Sequence, residues 1–410
     1  MGFQQGLSGL NAASKSLEVI GNNVANANTV GFKESQAQFA DVYANSLTGA
    51  GASQVGIGVK VAQVAQQFTQ GNVTASNNPL DVAINGGGFF RMSNNGTVTY
   101  GRNGQFQLDK AGYIVNATGS RLTGYGVSAS GVLASGAPTD LNINTSDITP
   151  KTTTKVNAVL NLNSGSAVPT TTPFNMADPT TYNNSTAVSV YDSLGNAHTL
   201  QTFYVKTAPN TWKVYAANDG VPIGYIPPAA PVAVGTMNFA SDGSLIPGAP
   251  LTVPLVVSTG ATTPFPVSID YTGTSQYGSS FSVNALKQDG YTSGRLSGFS
   301  ISADGTIVGR YTNGQSATLG QVVLANFTNP NGLQSLGNNL WTETATSGPA
   351  LVGTPNSGSL GVLQSSAVED SNVDLTAALV NMITAQRTYQ ANAQTIKTQD
   401  QVLQTLVNLR

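Results

Sequence analysis

The chain has no cysteine, a single histidine and very few charges of either sign. Without thiols, disulfide frameworks and thiolate metal sites are excluded, which fits a protein that works outside the cell without oxidative stapling. With His198 as the only imidazole, the common Ser-His and Cys-His arrangements and histidine-rich metal sites cannot be built. Charged residues make up 9% of the 410 positions, against about a quarter in an ordinary soluble domain. Thr, Ser, Asn and Gln cover the surface instead, and a surface so weakly solvated expects neighbours. The net charge is −2 and no basic run occurs, so nucleic-acid binding is not expected. No apolar run reaches about 18 residues, so no membrane insertion is expected either. The first residues, Met1 to Gly6, have no basic stretch and no compact apolar block, so a cleaved signal peptide is not expected. Gly6 also stands where a myristoylation signal wants Ser or Thr.

What is present falls into two periods. From Phe3 onward, Phe3, Leu7, Leu10, Leu17 and Val24 recur at spacings of four and three, with Ser14 and Gly21 filling the remaining positions. The other end repeats the heptad with Leu375, Leu379, Met382, Gln386, Tyr389, Ala393, Ile396, Asp400, Leu403 and Val407. These stripes predict two amphipathic terminal helices forming a coiled-coil-like pair, roughly 35 Å and 55 Å long. Their outer faces carry Gln4, Gln5, Ser8, Asn11, Gln390, Gln394 and Gln399 where solvated helices carry charge pairs. Two such helices are marginal by themselves, so they are expected to be frayed in a single chain and to order on assembly. An ordinary intramolecular helix pair is the plainer alternative.

Between the helices the pattern alternates with period two. It is broken by the turn dipeptides Asn85-Gly86, Asn95-Gly96, Asn103-Gly104, Asp219-Gly220, Asp242-Gly243, Asp289-Gly290, Asp304-Gly305 and Asn313-Gly314, all read as tight hairpins. Strands are predicted at 186–191, 200–206, 212–216 and 321–327, and linkers or long loops at 149–172 and 222–231. The fold class is therefore mostly β with α-helical termini. An outer β-domain (146–284) is expected to be inserted into an inner one (72–145 and 285–358). A connector (31–71 and 359–369) and a terminal helical domain (1–30 and 370–410) complete the division.

Chemistry-bearing motifs are sparse. His198 opens a predicted strand and reads as a polar residue after a turn. Gly86-Gly87-Gly88 has the wrong spacing for a nucleotide loop and continues into Phe89-Phe90 as strand. Glu369, Asp370 and Asp374 stand before the last helix, where acids complement its N-terminal dipole. Asn116-Ala117-Thr118 matches the short glycosylation pattern. No catalytic, cofactor-binding or metal-binding residue is assigned, and the chain is not expected to be an enzyme. A secreted β-rich enzyme or adhesin would explain the composition but not two helical ends with neutral faces.

The run from Gly21 to Lys33, with Asn22, Asn23, Asn26, Thr29, Gly31 and Phe32 at its fixed points, resembles the signature of the flagellar rod and hook family. The likeness continues in Phe68-Thr69-Gln70-Gly71 and in the segment from Asp81 to Phe90. It returns in Ser371-Asn372-Val373-Asp374-Leu375, Met382-Ile383 and the segment from Gln386 to Ala393. Rod and hook members share these ends. The middle, with Tyr191 to His198, Asn210 to Tyr215, Asp304 to Gly314 and Asn326 to Pro330, resembles the hook branch, and a distal rod subunit is the nearer rival. The resemblance implies a self-assembling helical homopolymer, a curved flexible tube acting as a universal joint between rod and filament. It also implies rod, hook-cap and hook-filament junction partners and type III export to the flagellum. The heptad residues Phe3, Leu7, Leu10, Leu17, Val24, Leu375, Leu379, Met382, Tyr389, Ile396, Leu403 and Val407 are then the expected polymer interface. Residues 44–55 lie where such proteins vary and would bear on stiffness.

Overall fold

The terminal stretches lack proline and keep the heptad repeat, so each can run as one helix. In the computed structural model, helix α1 runs Gly2–Ala25 and helix α2 runs Leu375–Asn408. The structure describes residues 2–42, 56–128, 131–134, 136–224 and 230–408, so the expectations for 44–55 and for part of 222–231 lie outside the described residues. Asp374 starts α2 by accepting the N–H groups of Thr376 and Ala377, so its expected capping role is met. No helix among the described residues is long and apolar enough to cross a membrane.

Everything between is strand and turn, and the chain divides into two compact units. One takes residues 1–145, 298–310 and 316–410, and the other takes 146–297 and 311–315. In the first unit, strands β1 (Ser35–Val42) and β2 (Gly58–Gln66) pair antiparallel beside α1. Farther along, Phe89–Asn94 is the hub of an antiparallel sheet, paired with Thr97–Gly101, Arg121–Tyr125 and Leu324–Asn326. Phe68, Phe89, Phe327 and Trp341 meet edge to face there, with ring centroids 5.3–5.9 Å apart. Two short ladders tie early chain to late chain: Val73–Ala75 with Ala367–Glu369, and Val82–Asn85 with Val362–Ser365.

The second unit packs two sheets over one core. A four-stranded sheet is ordered Leu251–Leu255, Phe265–Asp270, Lys155–Asn161, Ser282–Gln288, and a mainly antiparallel sheet is built on Asn184–Tyr191, Ala197–Ala208 and Thr211–Asn218. Val156, Leu160, Tyr204, Trp212, Val214, Val253 and Leu255 fill the space between them.

Three local readings need correction. Residues 155–161, placed in a linker, form a strand inside a sheet. The inward alternation of Val156, Ala158 and Leu160 outweighs the surrounding Thr and Pro. The single strand expected at 321–327 is two, Ser316–Val322 and Leu324–Asn326, on different partners. Val322, Val323, Leu324 and Ala325 are all fully buried, so no period of two survives. Asn95-Gly96 and Asp219-Gly220 do close hairpins, whereas Asn85-Gly86 and Asn103-Gly104 join strands that do not pair with each other. Gly104 is there because a Cβ would sit on the Val82 carbonyl.

Candidate functional site: the helix pair and the clamp at its base

The two helices lie antiparallel, Gly6 against Ile396 and Gly9 against Asn392. Most of the residues buried on them are small, Gly6 and Ala13 on α1 and Ala378 and Ala385 on α2, with Val19 and Asn23 the larger ones on α1. Small side chains let two backbones approach closely, and the contact takes in only the edge of the heptad stripe, where Ile396 meets Gly6. Phe3, Leu7, Leu375, Leu379, Tyr389, Leu403 and Val407 therefore stay exposed, with Val407 at 73% of its full area. Leu10, Leu17, Val24, Met382 and Ile396 are half-buried.

The neutral faces find two local uses. On α1, Gln5 donates to the Gly56 carbonyl (2.7 Å) and the Ser8 hydroxyl accepts the Val59 N–H, which binds the helix to β2. On α2, the side chains of Thr384, Thr388, Asn392, Thr395, Thr398 and Thr405 donate to carbonyls one turn back at 2.8–3.0 Å. A threonine satisfied in this way presents a methyl group rather than a hungry hydroxyl. The side of α2 that carries these threonines is thus prepared for dry contact.

Below α1 the asparagine-rich run makes a built turn. Asn23 is buried and grips the Ser35 backbone at both ends, donating to its carbonyl (2.8 Å) and accepting its N–H (3.0 Å). Asn26 donates to the Asn22 carbonyl, and Thr29 donates to Asn26. Gly31 takes φ +71°, donates its N–H to the Glu369 carbonyl, and lies so near Asn103 that a Cβ would come within 2.5 Å of its nitrogen. Phe32 is buried beside it.

Next comes a clamp the sequence did not announce. Glu369, expected at the helix entrance, is instead wholly buried. Its carboxylate takes Lys33 Nζ at 2.7 Å, Arg102 at 3.1 Å and the Gly71 N–H at 2.9 Å. Lys33 also donates to the Thr69 carbonyl, and Arg102 to the Gly86 carbonyl (2.9 Å). Burial pulls the Lys33 ammonium below its ordinary range, and Glu369 offsets part of that pull. Burial likewise lowers the Arg102 guanidinium, which remains charged at any physiological pH. Asn372 completes the join, accepting the Glu34 N–H and donating to the Gln67 carbonyl. A lone Glu in the alternating run Ala367-Val368-Glu369 was the one available signal of a buried acid. Its partners lie 336 and 267 residues away, beyond any local pattern.

His198 also departs from its simple reading. It opens the strand Ala197–Ala208 as expected, but it is buried between Asp219 (2.6 Å) and Asp192 (3.2 Å), with Thr259 donating to Asp192. Burial alone would lower its pKa, yet the two carboxylates outweigh burial and raise it. The cluster fastens turns of the second unit. Asn116 folds its side-chain oxygen onto the N–H groups of Thr118 and Ser120, a turn-building role.

Family models match in order along the chain. They are the flagellar basal body rod protein over residues 3–33, the flagellar hook protein FlgE/F/G D1 domain over 83–158, the flagellar basal body protein FlaE D2 domain over 161–291 and the flagellar basal body rod FlgEFG protein C-terminal region over 364–409. The chain is 45% identical to the flagellar hook protein FlgE of Escherichia coli (strain K12), and 46% identical to that of Salmonella typhimurium (strain LT2), over the whole of each. The chain belongs to the flagellar hook protein family. A more distant hook protein, from Borreliella burgdorferi, is 32% identical over 99% of this chain and 98% of its own. The crystal structure of Helicobacter pylori flagellar hook protein FlgE2 covers 72% of this chain and all of its own with a TM-score of 0.55. At 15% identity that likeness is one of fold. The mostly β middle with helical ends is thus the hook-family architecture. Lys33, Arg102 and Glu369 come from three separately matched segments of it, which the clamp joins.

Proposed function

We propose that the chain is the structural subunit of the flagellar hook, polymerising through its terminal helices into a curved, flexible tube that passes motor torque from rod to filament. The observation that carries this is the outward heptad stripe. A helix pair that buries alanine and glycine while exposing Phe3, Leu7, Leu379, Leu403 and Val407 has its large apolar contacts still to make. The back-bonded threonines of α2 lie on another side of the helix from this stripe, where their satisfied hydroxyls lower the cost of a second dry contact. Full-length relatives named as hook proteins favour the hook over the distal rod. In this reading the role is structural rather than catalytic. The subunit is exported by the type III apparatus without a cleaved signal, works outside the cell, and meets rod, cap and junction proteins at the tube ends. The terminal helices form the inner wall, the 31–71 and 359–369 segments connect, and the β-domains lie outside with polar, exchangeable contacts. Bending requires those outer contacts to slide. Electron microscopy of polymers grown from the purified full chain tests the proposal. Curved, compliant tubes are the expected result, straight rigid ones would favour the rod, and failure to polymerise would overturn it.

A further inference from the structure

Three stretches of chain meet at the base of the helix pair: 26–34 leaving α1, 67–72 leaving the β1–β2 hairpin, and 367–374 entering α2. All three converge on Glu369. Its carbonyl accepts the Gly31 N–H (2.8 Å), and its carboxylate takes Lys33 Nζ (2.7 Å) and the Gly71 N–H (2.9 Å). The same stretches are tied to the sheet of the first unit. The Val30 carbonyl accepts from Asn339 (3.0 Å), and Arg102, which follows the strand Thr97–Gly101, reaches Glu369 (3.1 Å) and the Gly86 carbonyl (2.9 Å).

Stability does not account for this cluster. One cation neutralises one carboxylate, yet Glu369 holds two, and none of the three side chains is more than 4% exposed. Among the described residues no second acid pairs with either cation, and the Arg102 Nε is buried without a hydrogen-bond partner. Burying an extra charge is costly, and apolar side chains of similar volume stabilise a fold as well or better. What apolar side chains lack is direction. Their contacts are non-directional and can slide, whereas charge-assisted hydrogen bonds fix donor and acceptor in length and angle. Lys33 ties the first stretch to the second, through the Thr69 carbonyl, and to the third, through Glu369. Arg102 ties the third to the sheet. Removing either cation undoes a tie and leaves the buried charge balanced.

We infer that the cluster is a torsional lock, in which Lys33 and Arg102 hold the three stretches in one orientation to the sheet, so that load applied to the helices passes into the β-rich part without turning at the join. The use for such a lock rests on the torque-carrying reading above, but the lock itself is a property of one chain. It makes Lys33 and Arg102 positioning residues, whose loss lowers mechanical strength far more than folding stability.

The absence of native cysteine lets two be placed as the only handles. Gly21→Cys in α1 puts a side chain where nothing lies within 4 Å, and Asn94→Cys sits at the exposed end of Phe89–Asn94. The full, unassembled chain is held between them in optical tweezers at fixed load. Arg102→Met and Lys33→Met each leave a matched buried pair, so each is expected to keep the wild-type denaturant midpoint. Each is also expected to shorten the lifetime before the first opening by about tenfold or more, the equivalent of one charge-assisted bond. Lifetimes like that of the wild type in both variants would overturn the lock. So would lifetimes that fall only in step with the unfolding free energy, or a variant that no longer folds its first unit, since the cations would then be ordinary stabilisers. The readout comes from single chains: unchanged lifetimes leave the hook reading standing, and a chain that forms no tubes leaves the lock standing.

Discussion

The second unit and the terminal helices bury opposite kinds of side chain. In the second unit the largest residues are inside: Tyr204, Trp212, Val253 and Leu255 have no exposed surface, and the Trp212 indole N–H reaches Gln276 at 2.6 Å. On the helices the buried residues are mostly small, Gly6, Ala13, Ala378 and Ala385 with Val19, and the larger apolar residues of the stripe are exposed or half-buried. A unit that has already hidden its large apolar groups has its stability within one chain. A helix pair that has not done so draws its stability from neighbours. The difference separates what a subunit needs in order to fold from what it needs in order to assemble.

The largest effect should come from charging the end of α2. Leu403→Asp is expected to abolish polymerisation while thermal unfolding of the β-rich units, followed by calorimetry on the full chain, stays where it was. Normal tubes from that variant would break the comparison. Next, amide exchange on the unassembled chain should show strong protection at Val214 and Val253 and weak protection at Leu10 and Ile396. Equal protection would mean that the helices stand alone after all. Trp212→Ala should do the reverse of the first substitution, costing the second unit about 3–5 kcal/mol in a denaturant titration while the helices keep their heptad surfaces. Glu369→Gln, which leaves Lys33 and Arg102 buried without their counter-charge, is expected to destabilise the first unit by about 3–5 kcal/mol. Denaturant titration should show the transition of the second unit unmoved.

The smallest effect concerns His198. Its folded pKa is raised, so the folded chain holds the proton more tightly than the unfolded one. Its contribution is therefore complete below the unfolded value of about 6.5 and fades as pH rises through the higher folded value. Asp192 and Asp219 are held low, since the hydrogen bonds they accept outweigh burial, so their contributions fade instead as pH falls through acid values. Melting of the second unit should decline slightly from neutral to alkaline pH, and His198→Gln should remove that slope. An unchanged slope would mean that the imidazole is not the responsible group.

Much of this was legible in the sequence because it depends on period alone. Heptads at both ends and alternation between them gave helices and strands in the right places, since a 3.6-residue repeat and a 2-residue repeat need no partner to be recognised. The asparagine-rich run could be read as a turn for the same local reason, and Asn23, Asn26 and Gly31 each bond or bend as such residues do. What failed locally was whatever depends on a distant partner. Residues 155–161 look like a linker until Phe265–Asp270 and Ser282–Gln288 flank them. Glu369 looks like a cap until Lys33 and Arg102 meet it.

The sequence by itself determined that the chain is mostly β with helical ends, that it lacks the residues of the common triads and thiolate metal sites, and that its helices carry apolar stripes. Only the tertiary structure decided which face of each helix turns inward, because close approach of two backbones selects Gly and Ala over Leu. It also decided that an acid, a lysine and an arginine from three remote segments would share one dry site. Burying a charge is tolerable only where opposite charges and donors are brought to it, and only folding can bring them.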